Sequence, residues 1–209
     1  MSDLPFNKII GGGLPKFLNE NMIKVMAVIF MIMDHIAVFL VPTIAANSDA
    51  AFFASSANVL SLINILRGFG RLAFPLFAFF IVEGITHTRD IKKYALRILI
   101  LAVISEVPFD MAYFGTPLNF EKQNVLITLF LGLCAIAGVD SVLKLFENDL
   151  TKRIMLSLSI ILFACVAAYF LKCDYSYAGI LAMIALYFFR QDHVKSIFAC
   201  CIILICGYS

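Results

Sequence analysis

Apolar runs of about twenty residues recur along nearly the whole chain, and a run of that length is what a helix needs to cross about 30 Å of hydrocarbon. A soluble domain has no use for so many. Of the 209 residues, 62% are hydrophobic, 21 are Phe, none is Trp, and the mean hydropathy is +0.97. The runs are too long for the alternating strands of about ten residues that build a membrane barrel. The sequence therefore predicts an all-α, polytopic membrane helical bundle of about six to seven transmembrane helices plus one interfacial or re-entrant helix. A single transmembrane domain is expected over residues 22–209, behind a cytoplasmic lead at 1–21 that holds Pro5, Pro15 and three consecutive glycines and does not match a cleaved signal peptide.

Taken in order, the first span is expected from about Met22 to Val41, ending where the chain meets Pro42. Residues 43–66 are diluted by Ala, Ser and Asn, and are expected to form an outer loop with the non-crossing helix from about Ala50 to Leu66. The second span, Gly68 to Arg89, opens on Arg71 and is interrupted by Pro75 and Gly84. Further spans are expected at about Ile91–Tyr113, Gln123–Val139, Ile154–Leu171 and Tyr175–Arg190, and a seventh run from Lys195 to Ser209 is short for a full crossing.

Lys and Arg then set the orientation. Twelve (Lys8, Lys16, Lys24, Arg89, Lys92, Lys93, Arg97, Lys144, Lys152, Arg153, Arg190 and Lys195) fall on one side of these spans, and four (Arg67, Arg71, Lys122 and Lys172) on the other. The asymmetry predicts a cytoplasmic N-terminus, and the expected location is the cell's inner (cytoplasmic) membrane. The net charge of +2 includes no basic run of five or more, so nothing points to nucleic acid. Five of the six cysteines lie in apolar runs, where buried inert thiols are expected. Cys173 stands alone in a loop, and no spacing suits a metal.

Ionisable side chains inside apolar helices cost about 2.5 to 3.5 kcal/mol each on insertion scales, so they point to partners or to a functional interior. Asp34 and His35 lie past the middle of the first span. They are adjacent, about 100° apart on a helix, so Asp34 cannot simply orient His35; pairing with Arg71 is one alternative. Glu83 and His87 are one turn apart, as are Glu106 and Asp110, with Pro108 between them. Each pair reads either as a proton-handling or binding site, or as a structural link between helices. A proton-coupled carrier using these groups as a relay and a non-catalytic membrane assembly protein are alternatives to an enzyme. No inverted repeat supports the carrier.

Several motifs together resemble the TraX family. They are Met33-Asp34-His35-Ile36, the run from Gly70 to Phe79, Glu83-Gly84 with His87-Thr88-Arg89, Ser105 to Asp110, Gln123-Asn124-Val125 with Thr128-Leu129, and Asp174-Tyr175. The resemblance covers about residues 22–190. Ser176 departs from it, standing where glycine is usual. The resemblance implies a membrane acetyltransferase that takes acetyl from cytoplasmic acetyl-CoA, as co-substrate and without a metal, to an amine or hydroxyl acceptor such as a peptide N-terminus. Here it implies His35 as base or nucleophile, with Asp34, Arg71, Glu106, Asp110 and Asn124 completing the catalytic set and Arg71 or Asn124 steadying an oxyanion. The phosphates of acetyl-CoA would be drawn to the inner mouth formed by Glu83, His87, Arg89, Lys92, Lys93 and Arg97, or equally to Lys152 and Arg153. The lipid bilayer is the expected surrounding, and self-association is left open.

Overall fold

The computed structural model describes residues 20–47 and 55–207. The predicted lead at 1–21 lies almost wholly outside the described residues, as does the start of the expected helix at Ala50. The described chain is helical: α1 (Glu20–His35), a π-helical segment (Ile36–Leu40), α2 (Val41–Asn47), α3 (Ser56–Gly70), α4 (Ala73–His87), α5 (Ile91–Phe114), α6 (Val125–Leu145), α7 (Leu150–Phe170), α8 (Ser176–Phe188) and α9 (His193–Gly207). Among the described residues, four stretches are long and apolar enough to cross a membrane: Asn21–Asn47, Ser56–His87, Val125–Leu145 and Leu150–Phe170. The chain is an all-α membrane protein. It divides into two compact units, residues 1–77 and 78–209.

In the first unit the helix expected to stop at Val41 continues through Pro42 to Asn47. Proline has no N–H and crowds the carbonyl four residues back. The backbone answers with a wide turn in which the Val41 N–H reaches the Ile36 carbonyl, five residues back. α3 packs along α1 and runs past the expected end at Leu66 to Gly70. Arg71 therefore does not open the next helix: it closes α3, its N–H donating to the Arg67 carbonyl at 3.0 Å. α4 begins two residues later, with Pro75 in its first turn, where a missing N–H goes unnoticed. At Gly70 α3 passes tight against α1. A Cβ built there would lie 2.5 Å from the Asp34 Cβ and 2.8 Å from its Cα.

In the second unit short polar connections carry the helix signals. Asp90 caps α5 by accepting from the Lys93 N–H at 3.0 Å, Asn124 caps α6 by accepting from the Leu126 N–H at 2.9 Å, and Asp149 caps α7 by accepting from the Lys152 N–H at 3.0 Å. Gly115, at φ 69°, ends α5 in the left-handed conformation glycine tolerates. α5 passes through Pro108 as one helix. α6 and α8 form the core: Leu129, Leu133, Ile136 and Val139 of α6 and Ile180, Met183 and Leu186 of α8 are buried. α7 and α9 pack against them. The opposite face of α7, with Met155, Leu158, Leu162 and Phe163, is exposed, as a lipid-facing surface should be. The cysteines depart from expectation. Cys200 is buried, but Cys134, Cys201 and Cys206 are exposed on apolar helices, and the loop residue Cys173 is buried.

Candidate functional site

The first unit places Asp34 and His35 on consecutive positions at the end of α1. The His35 ring turns back along its own helix: Nδ1 lies 2.7 Å from the Met31 carbonyl oxygen one turn earlier, and the ring is 5.7 Å from that of Phe39. A carbonyl can only accept, so Nδ1 carries the proton, and in the neutral ring Nε2 presents a lone pair. The side chain is exposed at the point where the α-helix widens into the π segment. Asp34 has Arg67 of α3 beside it, 3.9 Å from Nε to Oδ1. In the sequence Arg67 is only an orienting charge. Its spacing of one turn from Arg71 is the signal that both belong on one helical face.

The second unit brings Glu106, Asp110 and Asn124 together at one end. Glu106 and Asp110 project from α5, and the loop after it returns to Asn124 at the start of α6. The Asn124 backbone N–H is 3.3 Å from each Glu106 carboxylate oxygen, and its side-chain amide donates to Glu106 Oε2 and, at 3.0 Å, to the Ala102 carbonyl. Its side-chain oxygen meanwhile caps α6. Both amide hydrogens are thus engaged within this corner, so Asn124 works here as a clamp between α5 and α6 and offers no donor outward. Asp110 is fully buried. One of its oxygens accepts from the Asn119 N–H at 2.7 Å, and the other has no hydrogen-bond partner among the described residues. An open buried carboxylate oxygen is costly and calls for a donor.

A second loop closes over this corner. The Gln123 N–H donates to the Lys172 carbonyl at 3.1 Å, the two loops pair at Gln123 and Cys173, and Lys122 Nζ meets Asp174 Oδ1 at 2.7 Å over the Tyr113 ring. Cys173, 4% exposed, sits beside the Thr128 hydroxyl and near the Glu106 and Asp174 carboxylates. Burial first, then those two negative charges, push its thiol up to about 11, so it is a packed sulfur rather than a nucleophile. Two residues in this loop have left-handed backbone without being glycine: Lys172 at φ 54° and Ser176 at φ 44°.

The basic residues expected to hold phosphates are near the start of α5. Glu83 and His87 do share a face, with Oε2 and Nδ1 3.3 Å apart, and His87 Nδ1 is also 2.9 Å from the Glu83 carbonyl. Lys93 pairs with Asp90 at 3.3 Å, while Arg89, Lys92 and Arg97 stand at the surface of this end. Tyr94, which no motif in the sequence marks, lies over Gly84 so closely that any Cβ there would meet its hydroxyl. Arg71 stands at the break between α3 and α4.

Comparison with known proteins gives the chain its relatives. A probable fimbrial assembly protein, FimC of serogroup H1 from Dichelobacter nodosus, is 35% identical over 122 residues, 54% of this chain and 43% of that protein. The match therefore spans less than half of the relative's length. No solved structure matches. The family described as TraX protein matches residues 19–209, a range that takes in every described helix and both polar sites. The chain belongs to the TraX family.

Proposed function

We propose that this chain is an integral membrane acetyltransferase that passes acetyl from cytoplasmic acetyl-CoA to an amine or hydroxyl acceptor, with His35 as base or nucleophile. One observation carries the reading: the Met31 carbonyl fixes the proton on Nδ1 and leaves Nε2 as the lone-pair donor. As base, Nε2 takes the acceptor's proton while its nitrogen or oxygen bonds to the thioester carbon; the carbon–sulfur bond breaks and the thiolate leaves with that proton. As nucleophile, Nε2 bonds to the carbonyl carbon first and the carbon–sulfur bond breaks, releasing the thiolate; the acceptor's nitrogen or oxygen then bonds to that carbon as the carbon–Nε2 bond breaks, and the acceptor's proton passes to the thiolate. With the hydrogens of Asn124 already engaged, Arg71 is the better candidate for steadying the oxyanion, and Glu106 and Asn124 shape the corner around Asp110. Arg89, Lys92 and Arg97 would receive the CoA phosphates on the cytoplasmic side of the inner membrane.

The relative's name favours a second reading, a role in fimbrial assembly; the two combine if the acceptor is itself a fimbrial or pilus component. Purified protein incubated with labelled acetyl-CoA and a panel of amines, alcohols and peptide N-termini separates them. Transfer by the native chain, with a loss of about a hundredfold or more in a stably folded His35→Gln variant, is the expected result. Full turnover in that variant ends the role of His35. No transfer and no hydrolysis with the native chain leaves the assembly reading.

A further inference from the structure

At the end of the second unit opposite Glu106 and Asn124, one cation is turned inward with no acid paired to it among the described residues. Gly138 of α6 faces Ile160 of α7, and Cys165 Sγ of α7 lies 4.0 Å from the Tyr177 carbonyl of α8. These registers bring Lys144, Arg153 and Arg190 to the same level at that end. The buried stripe of α7 is Ser157, Ala164 and Ala168, and Arg153 continues it by one turn. Its Nε is screened from solvent and has no hydrogen-bond partner among the described residues.

The neighbouring charges are otherwise engaged. Asp140 takes Lys144 at 2.5 Å and the Tyr187 hydroxyl at 2.7 Å, Asp149 takes Lys152 at 2.9 Å, and Glu147 is exposed in the connecting loop. Arg190 donates to the Tyr187 carbonyl at 2.8 Å and stacks 4.4 Å from its ring centroid, which holds the guanidinium in place near Asp140, a carboxylate it shares with Lys144. Ser157 supplies a further donor. Other serines in these helices return their hydroxyls to their own backbone, Ser141 to Ala137 and Ser159 to Met155, both at 2.8 Å. The Ser157 hydroxyl, in a residue only 8% exposed, has no partner among the described residues. It lies one turn deeper than Arg153 on the same stripe.

We propose that Arg153, Ser157 and Arg190 form a binding site for the phosphate oxyanion of a phosphate ester. A planar guanidinium matches two phosphate oxygens, and a hydroxyl beside it can donate to a third. Arg153 is in the first turn of α7, the depth at which lipid phosphates lie, and a soluble nucleotide phosphate offers the same chemistry from the aqueous side. The site does not depend on the acetyl-transfer reading.

Delipidated protein in maltoside micelles tests it in two arms, one with added phosphatidylglycerol and one with adenosine 3′,5′-bisphosphate, read by native mass spectrometry and melting temperature. Binding in one arm identifies the source. Arg153→Gln should weaken it about tenfold or more, and Ser157→Ala, which removes a hydroxyl without a partner among the described residues, about threefold. Lys195→Gln removes the same charge from an exposed residue of α9 that is paired with Asp192 at 2.8 Å, and should bind as the native chain does. Absence of binding in both arms overturns the site, as does equal weakening by Lys195→Gln. Should Arg153→Gln fail to fold, native binding by Ser157→Ala overturns it.

Discussion

Glu106 holds Asn124 by its backbone and its side chain at once, and through it ties the middle of α5 to the first turn of α6. The same asparagine uses its oxygen to cap α6 and its second amide hydrogen to reach Ala102. A single residue therefore satisfies donors and acceptors from two helices.

Four substitutions separate these duties. Asn124→Ala removes the cap, commonly about 1 kcal/mol, and strands the Glu106 carboxylate, so a marked fall in melting temperature is expected. Glu106→Gln keeps an acceptor for the Asn124 N–H and should be milder than Glu106→Ala. Asn124→Asp puts a second carboxylate against Glu106. Repulsion between them should destabilise the protein at neutral pH, and stability should recover as the pH falls and one carboxylate takes a proton. Thermal melts across about pH 4 to 8, the range over which crowded carboxylates titrate, check the order. Equal stability of Asn124→Ala and the native chain would remove the clamp.

Two glycines near the end of α3 should respond in opposite directions. At Gly70 a Cβ would run into the Asp34 backbone, which cannot swing aside, so Gly70→Ala should destabilise strongly. At Gly68 nothing lies within 4 Å, so Gly68→Ala should be neutral or stabilising by up to about 1 kcal/mol, the helix-propensity difference. Melting of both variants in one detergent decides.

The backbone at Ser176 accounts for the glycine that the resemblance leads one to expect there. Its φ of 44° costs a side-chain-bearing residue about 1–2 kcal/mol and costs glycine little. Ser176→Gly should raise the melting temperature. An unchanged or lower value would mean that the serine compensates for its backbone in another way.

The Cys173 thiol should resist alkylation. In the folded protein its reaction with iodoacetamide should rise only as the pH approaches about 11, whereas after unfolding in SDS it should follow the ordinary thiol range. Glu106→Gln and Asp174→Asn each remove a negative charge near the sulfur and should shift the folded profile toward lower pH. Mass spectrometry resolves Cys173 from the other five cysteines.

Much of this is legible in the residues. Apolar length places the helices after Asp90, because their ends are marked by local chemistry: Asp90, Asn124 and Asp149 cap α5, α6 and α7, and Gly115 stops α5. The region around Pro42 and Arg71 is less legible. There the helix ends depend on backbone accommodation and on α3 packing against α1, neither of which a hydropathy pattern encodes. Glu83 with His87 can be read because both lie on one helix. The partners of Asn124 and the burial of Cys173 cannot, since they depend on two loops meeting far apart in sequence.

The wide turn at Ile36–Leu40 gives the first helix an uneven tolerance to changes in length. It holds one residue more than an α-helical turn would, so deletion of a single codon there would restore ordinary winding and leave Asp34 facing Arg67. An extra codon just after His35 falls where the helix is already widened. Upstream, among residues 24–33, the same insertion would turn the approaching chain by about 100° against everything packed on α3. Indels in natural relatives should therefore collect after His35 and avoid the helix before it.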